Sequence, residues 1–512
     1  MSGAILFLLT FGAAGIGALA ALALDAFGLR RAALSAAIAG TGVAAAAGMF
    51  AGVRPLPGDL IGTLQVGGPA SMVFGVIALT GTAAVAGGWD DLSDRVSGGS
   101  IAGLIALGVL AAGATSAAID LTTVLLAIET SAVCAYALVA SARTSRSAEA
   151  SMKYFVQGAV ATGLFVFGMA VLLGVVDPTG RYDTLAQAFI APSPMLPALA
   201  GVGLVLSALT FKMGGAPFHS WAPDAYETAP AESAAFLASG QKLGAIAAAS
   251  VFVSIVASGS IAPRALAIAL GLAVLSVLVG SLAALRQTNY RRLLGYAGVA
   301  QSGYALIAVA LFTPPLAVFF GATYALAASG TFLSAAAFKR LRPEWDGSVK
   351  GLAGLGRQAP VLCGSLGVLL ISLAGIPPFL GFWAKLLVFG TALNAAAQNF
   401  ATVPTVSWVL AVAVAAGLIG SVVSLGYYGS ILRSLFFDEP PAPQYVDGVD
   451  AEAFGGEAPE TDAEAESETD AAFAGSGSAG IVVVAIAALV ALASIATMIF
   501  GSTAIFVLFS AR

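Results

Sequence analysis

The stretch TFKMGGAPFHSWAPDAYETAP, residues 210–230, follows directly on the apolar run LPALAGVGLVLSALTF. Within ten residues it holds Lys212, Gly214, Gly215, Pro217 and His219, which is the one histidine of the chain. Proline removes a backbone donor and clashes with the preceding helical turn, and glycine weakens a helix interior. A helix long enough to span a bilayer is therefore predicted to break beside a lysine. Irregular backbone at membrane depth persists only when it is buried in protein or lines a wet cavity.

The rest of the chain supports a membrane setting. Of 512 residues, 59% are hydrophobic and 10% charged, where a soluble protein carries roughly a quarter charged residues. The apolar residues fall in blocks of about 20, the length that crosses a hydrocarbon core of about 30 Å as a helix. Unbroken apolar runs predict helices, because barrel strands alternate polar and apolar residues.

Dividing the chain at polar and Gly/Pro-rich breaks gives fourteen spans, near 4–24, 32–53, 70–88, 99–118, 120–142, 153–176, 195–224, 232–257, 263–284, 292–312, 315–338, 360–392, 405–435 and 480–508. Residues 4–24 are too long, and too poor in basic residues at their start, for a cleaved signal peptide. Only Asp120 separates the fourth span from the fifth. Loops after odd-numbered spans hold fifteen Lys and Arg residues, those after even-numbered spans only Arg54, Arg181 and Arg264. One miscounted span would destroy that asymmetry. The bias predicts odd loops in the cytoplasm and both termini outside a cell (plasma) membrane.

The cysteines, Cys134 and Cys363, stand far apart in apolar blocks, so a metal or iron–sulfur site in this chain is not expected. No glycine-rich phosphate loop stands at a strand–helix junction, and neither nucleotide nor nucleic-acid binding has support.

Four ionisable residues lie inside spans: Glu129, Lys212, Lys242 and Lys385. A charge at the bilayer centre costs at least about 2.5–3.5 kcal/mol, so such groups face a cavity or a partner. Snorkelling suits Lys242 and Lys385 poorly, since each is about two turns from its nearest span end. A structural ion pair accounts for Glu129 and one lysine, not for three lysines.

A second break, GIPPFLGFW (375–383) with Gly375, Pro377 and Pro378, lies about 160 residues after the first, and a Trp follows both. Matching interrupted helices are the sequence mark of inverted-repeat transporters. Five spans separate the seventh from the twelfth, and an odd number inverts the second copy. The expected organisation is three N-terminal helices (1–98), a first repeat (99–257), a second repeat (258–437), an acidic linker (438–479) and a last helix (480–512). A lysine moved between surroundings with and without a carboxylate neighbour can load and release a proton. That is the expected role of Lys212 beside Glu129.

At these residues the chain resembles a known family. PFHSWAPDAYETAP, the Lys242-bearing span, YRRLLGYAGVAQSGYALI (290–307) and LAGIPPFLGFWAKLLVF are similar to the antiporter-like membrane subunits of respiratory complex I, relatives of Mrp sodium/proton antiporter subunits. IDLTTVLLAIETSAVCAYALVA and SAEASMKYFVQGAVATGLFVFG (147–168) most resemble the N-type subunit of NADH-quinone oxidoreductase. The resemblance runs in order from about residue 100 to 436.

The resemblance implies that Glu129, Lys212, Lys242 and Lys385 form a proton relay, and Lys385 matches the N type rather than the M type. The chain reaches Arg512 without the lateral helix of the L type. Gln301 falls where the family often has a histidine; glutamine cannot titrate and is expected to hold water. His219 either bridges Lys212 to Lys242 through water or packs the break. Lys153 either sits at the basic end of the pathway or anchors its helix at the interface. Asp224 and Glu227 are expected to cap and anchor the approach to the eighth span.

The implied function is proton translocation driven by redox chemistry elsewhere in an assembly. No cofactor is expected in this chain, with quinone and iron–sulfur clusters in partner subunits. The alternatives are an Mrp-type cation/proton antiporter subunit, a structural membrane subunit, and more remotely a carrier of organic solutes.

From Asp438 to Asp470 the chain carries many carboxylates and no Lys or Arg, which predicts a solvated, unfolded linker. Its acidity also suits a halophilic host. The matching expectation is a sharp loss of thermal stability in dilute buffer; unchanged stability there would contradict it.

Overall fold

The computed structural model describes residues 3–53, 59–190, 195–257, 259–401, 403–439 and 476–510. Among these, fourteen helices are long and apolar enough to cross a membrane, from Gly3–Ala26 to a last one opening at Gly477. The protein is an all-helical, multi-pass membrane protein. The acidic linker lies outside the described residues except at its start, where Arg433 Nε meets Asp438 at 3.1 Å.

Asp120 separates the fourth and fifth helices by acting as an N-cap. Its Oδ1 accepts from Thr123 N at 2.7 Å at the start of Leu121–Ala140, satisfying one of the orphan donors of that helix end. Its backbone also bridges to Arg181 in the loop after the sixth span. The span between residues 477 and 510 starts slightly earlier than expected, at Gly477, where Asp90 Oδ2 accepts from Ser478 N at 2.7 Å.

Two local features escape the sequence pattern. The first span contains a π-helical turn at Leu8–Gly12. Between the second and third spans, β1 (Asp59–Ile61) pairs antiparallel with β2 (Leu64–Val66) through a turn at Gly62. Such short strands carry too few residues to show a period of two.

The eighth (Ala231–Val256) and tenth (Tyr290–Ala310) helices are central, with 94% of their most apolar windows buried; for the sixth (Ser145–Val175) the figure is 28%. The eleventh helix (Pro314–Leu341) packs against the third, eighth, tenth, twelfth and fourteenth. Small residues allow this closeness, as is usual where lipid supplies no hydrophobic drive between helices. A side chain at Gly280 would run into the backbone of Tyr296 and Ala300, and one at Gly303 would lie 2.6 Å from Ala273 O.

Both expected breaks are present. The seventh helix stops at Lys212 and the chain resumes as helix only at Trp221–Thr228, so the expected span 195–224 is two pieces. The twelfth stops at Ala374 and resumes at Leu380–Asn399. Left-handed glycines, Gly214 (φ 69°) and Gly375 (φ 85°), turn the chain at each break, and the Ala216–Pro217 and Pro377–Pro378 bonds are cis. A third, smaller interruption at Ser239 divides the eighth helix just before Lys242. No glycine–proline pair announces it.

Gly280→Val is expected to destabilise the detergent-solubilised protein by about 1–3 kcal/mol through overpacking. Gly271→Val, on the same helix with no atom within 4 Å, is the control and should leave the thermal midpoint unchanged. Equal midpoints for both variants would contradict the close backbone packing.

Candidate functional site: a line of buried lysines at two broken helices

The prolines determine where hydrogen-bond donors go missing. In a continuous helix the carbonyl of residue 213 would accept from the N–H of residue 217, and those of 373 and 374 from 377 and 378. All three donors are absent, because those positions are Pro217, Pro377 and Pro378. Side chains from the centre of the bundle replace them. Ser302 Oγ donates to Met213 O at 2.5 Å, Gln301 Nε2 to Leu373 O at 2.9 Å, and Lys385 Nζ to Ala374 O at 2.8 Å. Ala216 N donates to Ser276 Oγ at 2.9 Å. The tryptophan after each break donates its indole N–H back into it, Trp221 to Phe211 O at 3.3 Å and Trp383 to Pro378 O at 3.2 Å.

Gln301 has a structural role that the sequence reading did not include. It holds a helix-end carbonyl directly, and it also lines the cavity next to Lys385. Sequence reasoning misses this because the carbonyl that Pro377 frees belongs to another helix, 72 residues away from Gln301.

Each lysine is buried. Lys242, 1% exposed, donates Nζ to Gly298 O at 2.9 Å and to the Tyr324 hydroxyl at 3.4 Å, with Nζ 5.1 Å from the Tyr324 ring centre. Gly214 packs against the same ammonium, since a Cβ there would lie 3.8 Å from Lys242 Nζ. The break after Lys212 thus reaches Lys242. Lys385 Nζ lies 4.7 Å from the Tyr304 ring centre. Its cavity is lined also by Tyr324, Gln301 and Ser372, so Tyr324 faces both Lys242 and the space at Lys385.

Lys212 Nζ is buried without a hydrogen-bond partner among the described residues and sits 5.9 Å from the Tyr154 ring centre. It shares a cavity with Glu129, Tyr136 and Thr162. Glu129 Oε1 accepts from Thr162 Oγ1 at 2.5 Å, and among the described residues no ion pair joins it to a lysine. The sequence reading placed the two side by side; in the structure they line one cavity without forming an ion pair among the described residues. Both this cavity and the one at Lys385 offer about 10 Å³ to the centre of a water, which is the threshold for one molecule.

His219 makes its contacts at the break itself. It is half-buried, with Nδ1 3.3 Å from Pro217 O and its ring 6.3 Å from that of Tyr296. Lys153 lies at the helix end in an ion network, meeting Glu149 at 2.8 Å and Asp224 at 3.2 Å. Asp224 and Glu227 each also pair with Arg292, at 2.6 and 2.9 Å. That network adjoins a large open cavity of about 760 Å³, lined by Arg95, Arg143, Arg146, Arg291 and Lys339 together with Asp91, Glu227 and Asp346. Five cations from odd-numbered loops and adjoining helix ends meet at one surface, as the span count requires. At its rim, hydrogen bonds from Ser348 hold the Asp346 carboxyl below the usual carboxylate range.

Residues 118–413 match the profile of a protein family described as NADH:quinone oxidoreductase/Mrp antiporter, TM. The chain belongs to this family. NADH-quinone oxidoreductase subunit N 1 of Rhizobium meliloti is 31% identical over 433 residues, 83% of this chain and 87% of that protein. Subunit N 2 of Acidobacterium capsulatum is 39% identical over 329 residues, which span 62% of this chain and 64% of its own length. Among solved structures, a chain of respiratory complex I from Thermus thermophilus superposes with a TM-score of 0.71 at 27% identity, covering 94% of this chain and 98% of that one. A chain of the Mrp complex from Dietzia sp. superposes at 0.78 and 21% identity, covering 97% and 95%; it shares the fold.

Ser302→Ala would leave the Met213 carbonyl buried and unpaired, at a cost of about 1–3 kcal/mol. Thermal unfolding of the purified protein should register that loss, while Ser302→Thr keeps the donor and should recover most of it. An unchanged midpoint in the alanine variant would show that the carbonyl has another donor.

Proposed function

We propose that this chain is a proton-translocating membrane subunit of a complex I-like quinone oxidoreductase assembly in the plasma membrane, with both termini outside. Redox chemistry in partner subunits, where quinone and iron–sulfur clusters would reside, drives it; this chain carries no redox step. The observation that supports the reading is the run of ionisable groups inside the bundle: half-buried Glu129 and buried Lys212 in one cavity, the Gly214 break against Lys242, then Tyr324 leading to the cavity at Lys385. Relatives named as subunit N support it further.

The chemistry follows from what surrounds each lysine. Lys242 and Lys385 are held by neutral carbonyls and tyrosines, with no carboxylate pinned to either among the described residues. A carbonyl accepts from an ammonium or a neutral amine, so a proton can leave without abandoning an ion pair. Protons enter from the basic side to Lys242 and move along the hydrated axis by way of Lys212 and Lys385 before leaving outward. Glu129 tunes Lys212, since a carboxylate sharing its cavity favours the charged form when the two approach. Segments 99–257 and 258–437 act as inverted halves, each contributing a broken helix whose glycine touches a lysine: Gly214 with Lys242, and Gly375 with Lys385.

An Mrp-type antiporter subunit would use the same parts. The higher TM-score to the Mrp chain favours that reading only at the level of fold, whereas the relatives at 31–39% identity carry the NADH-quinone oxidoreductase name.

Lys242→Met and Lys385→Met should each abolish proton pumping by the assembled complex in proteoliposomes, followed as redox-driven acidification. A variant that assembles and pumps fully would remove its lysine from the mechanism. Loss of assembly in both would favour a structural subunit instead.

A further inference from the structure

Glu232 stands in the first turn of the eighth helix, just after Pro230, and none of its surface is exposed. Arg95 Nη1 donates to its Oε1 at 3.2 Å, while Oε2 is buried and has no hydrogen-bond partner among the described residues. Gly88 makes room for this side chain, because a Cβ there would lie 2.8 Å from Glu232 Cβ. A buried carboxylate with one free oxygen is costly to maintain as a mere helix clamp, since the unpaired oxygen forfeits its hydration.

Its position is more informative than its burial. Arg95, with 38% of its side chain exposed, lines the large basic-side cavity, as do Pro230 and Ala231 beside Glu232. The carboxyl thus lies one side chain behind the cavity wall. The charged groups acting on it are Arg95, Asp91 and Arg291, all three on that wall. On its inner side, Lys242 follows ten residues later on the same helix, about 15 Å along the axis. The Ser233 hydroxyl beside it is buried and unpartnered. So is that of Ser329 on the eleventh helix, which packs along Ala231–Ala238 and carries Tyr324 onward to Lys242. Buried hydroxyls without protein partners are ordinarily satisfied by water.

We propose that Glu232 is the proton-uptake group of this subunit, a protonatable site between the open basic-side cavity and Lys242. This rests on the proton-translocation reading above. The carboxylate takes a proton from hydronium in the cavity, becoming the neutral acid and releasing Arg95 towards solvent. It then gives the proton through the serine hydroxyls and their water to the neutral amine of Lys242, which becomes the ammonium as the carboxylate re-forms on Arg95. Oε2, the free oxygen, is the atom that carries the proton.

The test measures protons translocated per quinone reduced by the whole purified complex in proteoliposomes, for Glu232→Gln, Glu232→Asp and Lys242→Met in parallel. Glu232→Gln is expected to lower the ratio as far as Lys242→Met does, with Glu232→Asp restoring at least half of it. A full ratio in Glu232→Gln beside a lost one in Lys242→Met overturns the uptake role alone. A full ratio in Lys242→Met overturns the translocation reading beneath it. A second measurement uses the unmutated complex, so it stands even if the glutamine variant fails to assemble. A hydrophobic carbodiimide, which modifies buried protonated carboxyls, should form an adduct at Glu232 in step with loss of pumping, read by peptide mass spectrometry. Complete adduct formation at Glu232 with pumping retained overturns the proposal.

Discussion

A helix interrupted inside a bilayer leaves backbone carbonyls with no donor, and water cannot reach them from the lipid side. In this protein three carbonyls lose their donors to Pro217, Pro377 and Pro378, and three side chains from the bundle interior supply replacements. One replacement is the ammonium of Lys385. The same bond satisfies an orphan carbonyl and gives a buried lysine its partner, so the break and the charge stabilise each other. Removing either would leave the other exposed to a penalty of the order of 1–3 kcal/mol. The rest of the site is arranged around this constraint: glycines at the breaks bring backbone up to lysines, and tyrosines fill the space between them.

This arrangement accounts for the lysines of the axis having no tight ion pair among the described residues. A fixed carboxylate at each lysine would hold its proton, and removing one partner of a buried pair typically costs 3–5 kcal/mol. Neutral acceptors such as Gly298 O and Ala374 O impose no such requirement. Ion pairs cluster instead at the helix ends, where Arg292 holds Asp224 and Glu227 and Arg340 holds Asp91. Those pairs fix how the helices enter the bundle while leaving the lysines free to change charge.

Much of this was legible in the sequence because membrane folding writes large signals. Twenty-residue apolar blocks, a one-sided distribution of Lys and Arg, and Gly/Pro clusters inside spans each have one strong physical cause. They gave the helix count, the boundary at Asp120 and both breaks. What escaped was decided by packing between distant segments. Nothing near Gln301 says that it will bond Leu373 O. Only a Ser239–Gly240 pair, a weak signal, marks the interruption in the eighth helix, and Tyr324 reads as one more aromatic in an apolar helix. Glu232 is not singled out by its sequence surroundings, because its burial depends on Gly88 and on the Arg95 side chain from a different connection. His219, prominent as the one histidine, has its Nδ1 beside Pro217 O, a contact that depends on how the break turns.

The central claim is that water admitted at the two breaks joins the buried lysines into one proton path. Its most direct test is an experimental map of the assembled complex at a resolution that shows ordered solvent. The account predicts water density in the cavity shared by Glu129 and Lys212, and again among Tyr324, Gln301 and Lys385. Continuous dry side-chain packing between those groups, in every state trapped during turnover, would contradict it.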